Sequence, residues 1–95
     1  MKARGKTFLS PSIHENGAVS WEVISGKDLP KYSARDMCNA VLRIKDCNDG
    51  ISLDFDCETL AHLDKRIQKL DVLISELQNM REALEKVKEP QRFYY

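Results

Sequence analysis

Hydrophobic residues follow two different periods along this chain, and the switch between them is the first clue to its organisation. From Ala18 to Ser25 the period is two. Val19, Trp21 and Val23 share one face and Ser20 and Glu22 the other, as in a strand with one side buried. Ile51-Ser52-Leu53-Asp54-Phe55-Asp56 alternates in the same way and turns Ile51, Leu53 and Phe55 toward a core. A shorter strand-like run, Lys6 to about Ser10 with Thr7-Phe8-Leu9 inside it, meets Pro11, which ends it or confines it to a sheet edge. Glu15-Asn16-Gly17 supplies a turn, so the first two runs read as an N-terminal hairpin.

Elsewhere the period lengthens to that of a helix. Ser33 and Asp36 stand at the spacing of a capping pair, and Ala34, Met37, Val41 and Ile44 recur every three or four residues, with Cys38 and Leu42 widening the stripe. This predicts a short helix stopped at Asn48-Asp49-Gly50. A second helix, capped by Asp56 with Glu58 in its first turn, is expected from about Cys57 to Lys88, because no Gly or Pro interrupts that stretch. Leu60, Leu63, Ile67, Leu70, Ile74 and Leu77 keep the spacing of a coiled-coil seam. The seam then slips, and Leu73, Leu77, Met80, Leu84 and Val87 carry a second register displaced by three residues. Arg81 with Glu85, and Glu82 with Lys86, are placed as pairs on the wet side, and Pro90 is expected to end the helix.

The pattern therefore predicts an α+β fold in the order β-β-α-β-α. A small antiparallel sheet, made of the N-terminal hairpin plus a third strand, is joined by one short helix and one long C-terminal amphipathic helix. Residues 1–5 read as a flexible basic arm, 6–89 as a single domain, and 90–95 as a tail carrying Phe93, Tyr94 and Tyr95. Length supports one domain only.

Composition narrows function by exclusion. With 15 Lys+Arg against 15 Asp+Glu, no overall field draws the chain to nucleic acid or to an anionic membrane. No run of about 18 apolar residues suggests a membrane span, and no signal-peptide run follows the basic first residues. Three cysteines, Cys38, Cys47 and Cys57, are an odd number without the dense spacing of a secreted scaffold, which places the chain in the cytoplasm with free thiols. No cofactor or metal is expected. Cys38, Cys47, Cys57, His14 and His62 lack zinc spacing, and the acidic run from Asp46 to Glu58 misplaces the glycine and closing glutamate of a calcium loop. No phosphate loop, nucleophile elbow or paired-histidine motif is present, so a non-catalytic role is expected.

What remains is surface. A helix of about 32 residues spans roughly 48 Å, beyond the near-20 Å width of a small sheet, so its far half must overhang. Leu73, Leu77, Met80, Leu84 and Val87, with Phe93, Tyr94 and Tyr95, are the expected partner-binding residues. The corresponding role is an adaptor or inhibitor that docks on a larger protein, working as a homodimer in which an antiparallel pair of helices covers both overhangs. Small cytoplasmic chains of this kind are often accessory proteins of phages or other mobile elements that block a host machine. The alternative is a nucleic-acid-binding regulator that dimerises through the helix and meets phosphates with Lys2, Arg4 and Lys6.

Overall fold

The computed structural model describes residues 1–9, 17–30, 36–46 and 49–91, with side chains as far as residue 88. Four strands, β1 (Lys2–Phe8), β2 (Ala18–Ser25), β3 (Cys38–Asp46) and β4 (Asp49–Asp54), form one antiparallel sheet in the order β1-β2-β3-β4, and α1 (Leu60–Gln91) follows. The α+β class holds, with two differences in detail.

The first is the predicted short helix, where the described residues contain β3 instead. Both periods fit the sequence there. Met37, Val41 and Ile44 match a helix, but Cys38, Ala40, Leu42 and Ile44 also alternate, and the strand reading buries the better set. Cys38 pairs with Ser25, Ala40 with Val23, Leu42 with Trp21 and Ile44 with Val19, so all four side chains join the apolar face of β2. A helix there would have left that edge of β2 without β3 as its neighbour, and tertiary pairing outweighs local propensity. The capping residue Ser33, the hairpin turn 15–16 and residues 47–48 lie outside the described residues.

The second difference is the arm. Residues 1–5 are expected to be free, yet Lys2 to Phe8 pair with Ile24 to Ala18 along the whole of β2. Lys2, Arg4 and Lys6 do alternate with Ala3, Gly5 and Thr7, but the inward side chains are too small to read as a buried face. The space is filled from the neighbouring strand. Trp21 lies opposite Gly5, and a Cβ on Gly5 would stand 2.5 Å from the indole Nε1. Gly5→Val should therefore push the indole off β1, blue- or red-shifting Trp21 fluorescence and lowering the thermal midpoint by several degrees. An unchanged spectrum would show that the ring does not rest there.

Opposed residues of neighbouring strands share a face, so the register sorts the sheet into two sides. One carries Ala3, Gly5 and Thr7, then Val19, Trp21 and Val23, then Cys38, Ala40, Leu42 and Ile44, then Ile51 and Leu53. Phe55 continues this side, its N–H donating to the Ala40 carbonyl at 2.9 Å, and Cys57 closes a last bridge to Cys38. The expected strand Ile51 to Asp56 is thus present, assigned as Asp49–Asp54 with Phe55 buried.

α1 starts at Leu60 rather than Cys57. Thr59 caps it, its Oγ1 accepting from the His62 N–H at 3.2 Å, while Asp56 is engaged elsewhere and Glu58 precedes the first turn. The helix also continues through Pro90 to Gln91. A proline in the last turn forfeits one backbone bond and need not stop the helix before it. The result is elongated, 59 × 30 × 20 Å with a radius of gyration of 17.7 Å, against about 12 Å for a compact domain of this length.

Candidate docking site

Among the described residues, the hydrogen bonds that tie α1 to the end of β4 come from its first three turns. Arg66 donates from Nε to the Asp56 carbonyl at 3.0 Å, and Lys69 donates from Nζ to the Asp54 carbonyl at 2.7 Å. The same ammonium stands 4.7 Å from the centroid of the Phe55 ring, a cation–π contact over the largest of the buried hydrophobic side chains described. These three contacts clamp the helix to the end of β4.

Above the sheet the clamp leaves an open apolar cleft of about 420 Å³, walled by Trp21, Val23, Leu42 and Phe55 on one side and by Leu63, Ile67 and Leu70 on the other. The helix shelters the sheet without sealing it. Among the described hydrophobic residues only Cys38, Phe55 and Cys57 are buried, while Trp21 keeps 44% and Ile67 50% of its surface.

Beyond Leu70 the described strands leave the helix uncovered. Leu77, Met80, Leu84 and Val87 are 55%, 61%, 58% and 62% exposed, and Leu73 is half-buried. The expected overhang is present, and it runs in a different direction from the cleft. At about 100° per residue the stripe from Leu60 to Ile74 and the stripe from Leu70 to Val87 are centred about a quarter turn apart. Leu70 belongs to both. Glu85 turns to Lys88 at 3.5 Å rather than back to Arg81. Phe93, Tyr94 and Tyr95, the expected aromatic anchors, lie outside the described residues.

The thiols of Cys38 and Cys57, 19 residues apart in sequence, meet in the floor of the site. Cys57 Sγ donates to Cys38 Sγ at 3.6 Å, and two backbone bonds of 3.1 Å join the same residues. Burial first, and the bond from Cys57 second, push the Cys38 thiol up to about 11. It stays protonated at neutral pH, which suits a packing residue rather than a nucleophile. Nothing in the sequence pairs these two cysteines. Among the described residues no group of three or more His, Cys, Asp or Glu is placed to hold a metal ion.

Beside them Asp56 accepts the Ala40 N–H on Oδ1 at 2.7 Å. Its pKa is raised, chiefly by burial, which outweighs that hydrogen bond, with the Asp54 charge adding to the rise. The fold therefore favours the protonated carboxyl. Its contribution to stability is complete below the ordinary carboxylate range and is lost as pH rises through the raised value. Asp56→Asn keeps an acceptor for Ala40 and removes the charge, so its thermal midpoint should exceed the parent's at pH 7. The advantage should vanish below the ordinary carboxylate range. A variant less stable than the parent at pH 7 would show that the ionised form is the one the fold prefers.

The residues of the nucleic-acid alternative fall on the opposite face of the sheet. Lys2, Arg4 and Lys6 point the same way from β1, and the register sets exposed Arg43 and Lys45 of β3 on that side, Arg43 level with Lys6 and Lys45 level with Phe8. Glu22 and Asp54 interrupt the patch at the level of Arg4.

No family model matches the chain, and no curated protein and no solved structure is significantly similar to it. No helix among the described residues is long and apolar enough to cross a membrane.

Proposed function

We propose that the protein is a non-catalytic interaction module, an adaptor or inhibitor that docks on a larger protein through the long helix and works as a homodimer. One observation carries this reading: the far half of α1 holds four large apolar side chains, each more than half exposed, with no part of the described sheet beneath them. Covering each would contribute about 1 kcal/mol or more, and exposed stripes of this size on a soluble chain mark contact surfaces. The cleft between sheet and helix adds a second apolar recess, wide enough for a side chain of a partner.

Capture from the native host with the immobilised chain, read by mass spectrometry, tests the role. One stoichiometric protein should be recovered, and it should be lost when Met80 and Leu84 are both changed to Glu in a chain that keeps its strand and helix signals. Equal recovery by parent and variant would remove the helix from the interface.

A phosphate-binding role is the second reading, favoured by the alignment of Lys2, Arg4 and Lys6 with Arg43 and Lys45 on one open sheet face. It calls for salt-dependent retention on a nucleic-acid column that disappears when Lys2, Arg4 and Lys6 become Ala. Flow-through at low salt would discard it.

A further inference from the structure

We infer that the overhanging stripe of α1 is occupied by the same stripe of a second copy, with the two helices parallel and in register. This names the partner of one surface within the reading above and rests on it. The argument comes from the charges that flank the stripe.

Leu70, Leu73, Leu77, Met80, Leu84 and Val87 are spaced three, four, three, four and three, so they fill successive core positions of a heptad repeat. The outward positions carry Asp71, Ser75, Gln78, Asn79, Glu82, Glu85 and Lys86, with Val72 the one apolar exception. The positions bordering the core on one side are Lys69, Glu76 and Ala83, and on the other Ile74, Arg81 and Lys88. In a parallel pair each residue of the first border lies beside the residue five places later in the other chain. Glu76 then meets Arg81 of the second copy, twice by symmetry. Lys69 meets Ile74 and Ala83 meets Lys88, so no like charges oppose.

An antiparallel pair sets each border against itself. With Leu77 opposite Met80, Glu76 meets Ala83 and Arg81 meets Ile74, and no attractive pair forms. Sliding by one heptad in either direction sets Glu76 on Glu76 or Arg81 on Arg81. The orientation expected from helix packing alone is therefore one these charges do nothing to stabilise, and its neighbouring registers are repulsive. Arg81 is also available, since no ion pair holds it among the described residues; Glu85 is paired with Lys88 and Glu76 accepts only a 3.5 Å bond from Asn79. The quarter turn between the stripes sets each sheet to the side of the helix pair rather than between the helices.

Cross-linking tests orientation and charge reversal tests the pair, both in the full chain with Cys47→Ser. Under mild oxidation Leu77→Cys should link to itself. Arg81→Glu should raise the dissociation constant roughly tenfold, and adding Glu76→Arg should bring it back. A Leu77→Cys chain that stays unlinked alone but bonds to Met80→Cys in a mixture would overturn the parallel arrangement, as would reversal without rescue. A monomeric mass at every concentration, alongside continued capture of a host protein, would overturn the self-pairing and the homodimer with it, and leave standing the docking on a larger protein. A parallel dimer that captures nothing would do the reverse.

Discussion

Phe55→Ala is expected to lower the thermal midpoint of the chain by tens of degrees. Phe55 is 8% exposed and is the only large side chain among the three buried hydrophobic residues described. Truncating a buried phenylalanine costs about 3–5 kcal/mol, a large part of the 5–15 kcal/mol that holds a small domain together. The loss here is compounded, because the ring also carries the Lys69 ammonium that clamps α1 to β4. At about 4–8 °C per kcal/mol for a domain of this size, the midpoint should fall by roughly 12–40 °C in circular dichroism. A fall below about 5 °C would mean that the sheet does not depend on this ring.

The second large effect is on association. Changing Met80 and Leu84 together to Glu sets four carboxylates into the seam of a helix pair. Each would have to be desolvated without a partner, at a cost of several kcal/mol, while the apolar cover of two side chains per chain is lost. A weakening of at least about 10³-fold follows, since each 1.4 kcal/mol is tenfold. At concentrations where the parent sediments as a dimer the variant should sediment as a monomer, with Trp21 fluorescence unchanged. Parent and variant of equal mass would remove the seam from the self-contact.

Three elements are legible from residue order alone. β2, β4 and the long helix each have one dominant period over at least six residues, and each occurs where that period predicts. The chain around Cys38 to Asp46 carries two periods at once. Only the pairing of Leu42 with Trp21 and of Ala40 with Val23, a long-range fact, decides for a strand. β1 is legible only in its second half, Lys6 to Phe8, since the inward residues Ala3 and Gly5 of its first half carry too little apolar weight to announce a face. The meaning of Gly5 becomes visible only with the indole above it.

The candidate site divides in the same way. Exposure of Leu77 to Val87 follows from length, because roughly 48 Å of helix outruns any sheet this chain can build. The cleft, the meeting of Cys38 with Cys57 and the joining of Arg43 and Lys45 to the β1 cations arise from strand register. Composition does not encode register, so none of them could be read beforehand.

Because Arg66 and Lys69 grip the sheet within the first three turns, the remaining helix is placed as a lever arm whose base is at Phe55. A tilt of about 10° at that base would carry Val87, some 25–30 Å farther along, by roughly 5 Å. Small adjustments in how the cleft is filled would thus be magnified at the far tip, and whatever grips that tip could in turn pry the cleft open.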